Sequence, residues 1–166
     1  MTAQFTEVLR LRGETLSLCT YPLSVYWKSS GNPIELQSTS TGCWRGYVGT
    51  WEIINDRLYL VKFWGNRKGE TDYQQVGLKD VFPDYPDGVF AHWFTGELRC
   101  PQGERLRYVH NGFESKYEKD LFITVRSGVV VGERLVVNGD AAEVNGTSSV
   151  GFDDYVIPDF LKKQAD

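Results

Sequence analysis

Three two-residue turn signals constrain this fold more than any other feature of the sequence. They are Gly13-Glu14, Asn55-Asp56 and Ser127-Gly128, and each lies between two stretches that are typical of β-strands. Such residues join antiparallel strands because they tolerate the unusual backbone angles of tight hairpin turns. The sequence therefore predicts three β-hairpins.

The first two hairpins have a predicted register. A turn at Gly13-Glu14 pairs Leu11 with Leu16 and Leu9 with Leu18. A turn at Asn55-Asp56 pairs two apolar couples across the strands, Trp51 with Leu60 and Ile53 with Leu58. The strand near residues 58–63 is apolar on both faces, which predicts either a central position in the sheet or a place under a covering segment.

The composition indicates one β-dominated domain. Aromatic residues make up 14% of the 166 residues, and 17 glycines favour strands and tight turns over helices. We predict seven to nine strands in a single antiparallel sheet, curled into a barrel or strongly bent. The domain spans 1–166, with a core of about 4–145 and a tail of 146–166. Prolines limit residues 21–33 and 76–88 to short helical turns, and one short C-terminal helix is expected after Pro158.

Charge and hydropathy exclude several classes of protein. The net charge of −4 makes nucleic acid an unexpected partner, since phosphate binding needs an excess of Lys and Arg. No apolar run approaches the ~18 residues of a membrane span, and the charged N-terminal stretch is unlike a secretory signal. Three widely spaced cysteines, with no C-x-x-C pair, favour a reduced, cytoplasmic location. We predict no cofactor and no metal.

Residues 88–112 contain both histidines of the chain. A three-residue loop at 101–103 predicts a further hairpin, in which Cys100 faces Glu104, Leu98 faces Leu106, Glu97 faces Arg107 and Phe94 faces His110. In that register His92 and His110 become diagonal neighbours on a largely apolar face. They are either two buried core residues or a pair that transfers protons or orients a ligand.

This hairpin supplies most of the candidate site residues. The catalytic candidates are His92, His110, Tyr108 and Cys43. The candidates for ligand binding are His92, Phe94, Tyr108, His110, Trp51 and Glu114.

Cys43 supports two interpretations. It follows a hydroxyl-rich stretch and precedes Arg45, so it could be a nucleophile if its thiol pKa is lowered and a histidine lies near it. It could equally be a small buried hydrophobic residue, with Trp44 capping the sheet.

Two phrases of the sequence carry a resemblance. CWRGYVGTWEIINDRLYL and VFAHWFTGELRCPQGERLRYVHNGFESKYEKDLFI resemble phrases of a family of small uncharacterised bacterial proteins. The resemblance spans about residues 5–135. It implies a bacterial cytoplasmic protein, and it transfers neither an activity nor a catalytic residue.

The expected role is binding. The ligand would be a small molecule in the mouth of a barrel, or a protein at an aromatic surface. A toxin neutralised by a small acidic immunity or antitoxin-like protein is one such partner. The alternative is an enzyme with a pocket built around His92 and His110, with Tyr108 or Glu114 near them.

Overall fold

A computed structural model describes residues 3–31, 34–38, 40–69 and 74–139 of the chain. The predicted tail at 146–166, with its expected helix after Pro158, lies outside the described residues, as does the end of the predicted core at 140–145.

Nine strands and two short helices occupy the described residues. In chain order they are β1 (Glu7–Leu11), β2 (Glu14–Leu18), α1 (Pro22–Ser30), β3 (Tyr47–Ile54), β4 (Arg57–Arg67), β5 (Gln74–Gly77), α2 (Leu78–Val81), β6 (Val89–Phe90), β7 (Gly96–Arg107), β8 (Lys116–Arg126) and β9 (Val129–Val137). The prediction of a β-dominated fold with seven to nine strands is therefore confirmed. Helix α1 has nine residues and begins at a proline, which suits the first turn because its missing N–H would have no partner there.

The nine strands form one mixed sheet. Its order is β2-β1-β3-β4-β9-β8-β7, and β5 and β6 also pair with β4. Strands β1 and β3 run parallel, so the prediction of a purely antiparallel sheet is wrong. Strand β2 runs back to the end at which β1 starts, because Leu18 pairs with Glu7. The long connection of residues 19–46, which contains α1, then leads to the other side of β1, where β3 starts in the same direction as β1.

The sheet is bent but not closed, so the predicted barrel is wrong. Its two end strands, β2 and β7, approach each other just beyond the end of β2. There Cys19 N–H donates to the Arg99 carbonyl oxygen at 2.8 Å, and Arg99 N–H donates to Thr20 Oγ1 at 3.0 Å. We call this place the seam. Strand β2 has only five residues, and no strand ladder joins it to β7 within the described part of the chain.

Two of the predicted hairpins are confirmed. Trp51 pairs with Leu60 and Ile53 pairs with Leu58, and β8 and β9 pair across the turn at Ser127-Gly128. The central position of β4 is confirmed as well, because β4 pairs with four other strands.

The first hairpin forms with a different register. Its turn lies at Arg12-Gly13, so Leu9 faces Leu16 and Leu11 faces Glu14. Arg12 and Gly13 both have positive φ, at 50° and 80°, as both central residues of a type I′ turn must. The predicted turn, placed one residue later, is wrong.

The hairpin predicted at residues 101–103 does not exist. Strand β7 continues through Pro101 and pairs with β8, with Leu98 opposite Ile123 and Cys100 opposite Leu121. A proline is tolerated here because β7 is an edge strand, and the N–H that proline lacks would have no strand partner. Beyond this point the pairing is irregular, with shifts of register between Gln102 and Arg105 and between Arg105 and Arg107.

Glu97 therefore has a different cation partner from the predicted Arg107. It pairs with Arg134 of β9 at 2.8 Å, across the width of β8.

The bend of the sheet gathers one hydrophobic core. Each of the described strands contributes to it, and its fully buried members include Leu9, Leu18, Trp51, Leu58, Leu60, Leu98, Leu121 and Ile123. Helix α1 covers one end through Leu23, while Trp27 packs edge-on against Tyr47 at 5.0 Å. None of the described helices is long and apolar enough to cross a membrane.

Two glycines with almost the same backbone angle give a matched test of the fold. A Cβ on Gly13, which has φ of 80°, would have no other atom within 4 Å. A Cβ on Gly128, with φ of 83°, would lie 2.7 Å from the Ala91 carbonyl oxygen. We expect Gly13→Ala to lower the free energy of unfolding by about 1 kcal/mol through backbone strain alone. Gly128→Ala should lower it by about 3 kcal/mol, because overpacking adds to the same strain.

Urea unfolding of both variants checks this prediction. Equal losses of stability would contradict the close packing of the β8–β9 turn against residues 90 and 91.

Candidate functional site

The structure does not bring the two histidines together. His92 is exposed in the turn between β6 and β7, with its ring centroid 5.5 Å from that of Trp93. His110 is exposed in the loop that follows β7. The twelve residues of β7 separate them, a span of roughly 40 Å in a fully extended strand. The predicted diagonal pair on an apolar face is therefore wrong, because it depended on a hairpin that does not form.

The other residues of the predicted histidine site are also dispersed. Phe94 and Trp51 are buried in the core. Tyr108 is exposed, and its hydroxyl lies 2.6 Å from His110 Nδ1. Glu114, in the same loop, accepts a hydrogen bond from Asn111 Nδ2 at 2.7 Å. The Tyr108–His110 pair is thus the one contact between predicted catalytic residues among those that the structure describes.

Cys43 is enclosed. It is 3% exposed, and its thiol donates to the Tyr47 carbonyl oxygen at 3.5 Å. Trp44 is 55% exposed and so does not cap the sheet. Burial also raises the pKa of the other two thiols, to about 11 at Cys19 and about 12 at Cys100. Those two thiols lack the lowered pKa on which a cysteine nucleophile depends.

Sequence reasoning missed a buried ion pair between Glu7 and Arg45. Glu7 is fully buried, and its Oε2 accepts hydrogen bonds from Arg45 Nη2 at 3.0 Å and from Gly49 N–H at 2.6 Å. Burial raises the pKa of Glu7, and the charge of Arg45 opposes that shift. The pair fastens β1 to the residues that lead into β3.

An aromatic chain continues from this ion pair toward the seam. The Arg45 guanidinium lies 4.4 Å from the ring centroid of Tyr21, and the Tyr21 ring lies 5.1 Å from that of Phe113. Phe113 belongs to the loop of residues 108–115, which joins β7 to β8. The loop is therefore supported from below by packed aromatic rings.

Under that loop lies a cavity of about 530 Å³, which we call the loop cavity. Its lining combines apolar and charged side chains from the two strands, the loop and the end of β9: Arg99, Leu106, Arg107, Phe113, Glu114, Lys116, Asp120 and Asn138. It adjoins the seam, because Arg99 belongs to both.

The floor of the loop cavity is an ion pair held from several sides. Arg99 Nε donates to Asp120 Oδ1 at 2.9 Å, and Asn138 Nδ2 donates to Asp120 Oδ2 at 2.8 Å. Arg99 also donates to the carbonyl oxygens of Phe113 at 2.8 Å and Ser115 at 3.3 Å. One guanidinium thus fixes the floor and the loop above it, which prepares the cavity for a ligand before one binds.

The rim of the loop cavity carries exposed charges. Arg107 and Lys116 face each other in the β7–β8 pairing, and Glu114 lies near them in the lining. Sequence reasoning assigned Arg107 to Glu97 through the wrong hairpin. Only the correct β7–β8 pairing places the two cations opposite each other.

A second depression, of about 480 Å³, lies outside β3 and β4. Its lining includes Val48, Lys62 and Trp64, with Leu78 of α2 and Pro86 at one side. Among the described residues of its lining, Lys62 alone is charged, so this depression offers fewer groups that could orient a ligand.

Comparisons with known proteins found no match, so the function is inferred from the residues described above. The chain matches no protein-family model, no curated protein and no solved structure. Among the described residues, no three His, Cys, Asp or Glu side chains are grouped so that they could hold a metal ion.

The enclosure of the thiols gives a direct prediction. We expect all three cysteines of the native protein to react slowly with dithiobis(nitrobenzoate) at about pH 8, because burial hides Cys43 and Cys100 and keeps the Cys19 thiol protonated. In urea all three should react at the rate of a free thiol. Rapid modification of Cys43 in the folded protein, identified by mass spectrometry, would revive the nucleophile hypothesis.

Proposed function

We propose that this protein binds a small, partly apolar molecule in the loop cavity. The observation that carries the proposal is the floor of the cavity, where one arginine is fixed by a carboxylate and two loop carbonyl groups. The volume of about 530 Å³ falls within the range of roughly 300–1,000 Å³ that is usual for ligand sites. Leu106 and Phe113 supply an apolar wall, and the charged rim supplies groups that can orient a ligand.

The position of the cavity differs from the one expected for a barrel. The bend of the sheet is filled by core side chains, so the proposed site lies outside the core, between the edge strand β7 and the loop above it. Loops held by a rigid scaffold are common places for binding sites. The bacterial cytoplasm stays the setting that we propose for this protein.

An enzyme is a weaker proposal. Its expected site required His92 and His110 together, and β7 separates them. The hydrogen-bonded pair of Tyr108 and His110 lies in the loop above the cavity and is the arrangement from which acid–base chemistry would have to start.

A protein partner is the second candidate function. Phe5 and Trp44 are 58% and 55% exposed. Their segments of the chain lie side by side, because Phe5 N–H donates to the Gly42 carbonyl oxygen and Trp44 N–H donates to Gln4 Oε1. Exposed aromatic residues are frequent anchors at protein interfaces. If this acidic protein is an immunity-like protein, its toxin would bind at Phe5 and Trp44 rather than in the loop cavity.

Titration with anilinonaphthalene sulfonate, an amphipathic aromatic probe, tests the proposed function. We expect saturable shifts of the backbone amide NMR signals of residues 106–116, with Asp120 and Asn138 among them, because these residues enclose the cavity. Phe113→Ala should weaken binding of the probe about tenfold through the loss of its apolar wall.

Phe5→Ala is the matched control, since it removes an exposed phenylalanine elsewhere and should leave binding unchanged. Folding of both variants is checked by their far-ultraviolet circular dichroism. Shifts confined to residues 4–5 and 41–44 would favour the protein-partner function and contradict the loop cavity.

A further inference from the structure

We infer that the ligand of the loop cavity is an organic anion with a flat apolar body, whose acidic group lies between Arg107 and Lys116. This inference rests on the proposed function and names the chemistry of the molecule that it would take.

Two like charges face each other at the rim. Arg107 and Lys116 are directly opposite each other across β7 and β8, and both are exposed. The pair follows a shift of register between Arg105 and Arg107, and both residues line the loop cavity. Two cations held in one small site repel each other. A bound carboxylate or phosphate would turn that repulsion into attraction, because both side chains are long enough to reach one acidic group.

These two cations differ from the arginines of the described chain that form salt bridges. Arg12, Arg45, Arg99 and Arg134 each pair with a carboxylate. Within the described ranges, neither Arg107 nor Lys116 forms a salt bridge or a side-chain hydrogen bond. The two positive charges at the rim are therefore available to a ligand.

The carboxylates of the same cavity already have partners. Asp120 is occupied by Arg99 and Asn138, and Glu114 accepts a hydrogen bond from Asn111. The described lining residues include three cations and two carboxylates, in a chain whose net charge is −4. The cavity is thus a local positive site on an acidic protein, which favours small anions over extended polyanions.

The apolar body follows from the wall beside these cations. Phe113 is half-buried and held in place by the Tyr21 ring at 5.1 Å, and Leu106 lies next to Arg107 on β7. A rigid aromatic side chain favours stacking with a flat ring. An aromatic or similarly planar carboxylate or phosphate ester fits both the wall and the rim.

Isothermal titration calorimetry with two probes of the same shape tests this inference. Naphthoate carries a carboxylate, and naphthamide carries a neutral amide in its place. We expect naphthoate to bind the full-length protein at least about tenfold more tightly than naphthamide, and its affinity should fall as the salt concentration rises.

Substitutions of the two rim cations then test where the acidic group of the ligand binds. Arg107→Gln and Lys116→Gln should each weaken naphthoate binding about tenfold and leave naphthamide binding unchanged. Lys62→Gln, which removes an exposed lysine from the outer depression, is the matched control and should change neither affinity. In the absence of ligand, each rim variant should unfold at a slightly higher temperature than the native protein, because the repulsion between the two cations is relieved.

The outcomes separate the inference from the proposed function. If both probes bind equally in the loop cavity and the rim variants do not affect binding, the inference that the ligand is an anion is overturned. The proposed function then stays intact. Failure of both probes to bind would overturn the proposed function together with the inference.

Discussion

The hydrogen bonds and the ion pair of Arg99 are the interactions on which the rest of this structure depends. Its backbone carbonyl accepts a hydrogen bond from Cys19 and so joins the two ends of the open sheet at the seam. Its guanidinium pairs with Asp120 on the neighbouring strand and donates to the carbonyl oxygens of Phe113 and Ser115 in the loop. Charge-assisted hydrogen bonds of this kind are stronger than neutral ones, particularly where water is partly excluded. One residue therefore couples sheet curvature to the position of the loop and to the shape of the cavity beneath it.

The open sheet explains why the cavity lies where it does. In a closed barrel a ligand could enter the interior, but here the bend is filled by one continuous core in which Trp51, Leu60 and Leu98 are fully buried. The remaining space is at the edge, where β7 extends beyond the short β2 and its loop folds over an ion pair. Two buried or partly buried ion pairs, at Glu7 and at Arg99, support this edge, and the aromatic rings of residues 21 and 113 connect them.

Local signals in the sequence predicted two of the four hairpins correctly and the site poorly. The register of the hairpin at Asn55-Asp56 was predicted correctly, because the pairing of apolar residues across its strands agreed with the position of the turn. Pro101 was misread because a proline within a strand and a proline in a turn look the same until the strand is known to be an edge. The ion pair of Glu7 and Arg45 joins residues 38 positions apart in the chain. No local sequence pattern indicates such a contact, and none indicates that Arg107 and Lys116 become partners at the rim.

A crystal structure of the full chain with naphthoate bound tests the central claim most directly. We predict density for the naphthalene ring against Phe113, with the carboxylate within hydrogen-bonding distance of Arg107 or Lys116 and the ion pair of Arg99 and Asp120 unchanged beneath it. Naphthoate bound in the depression outside β3 and β4, or an empty loop cavity at a saturating naphthoate concentration, would contradict this claim.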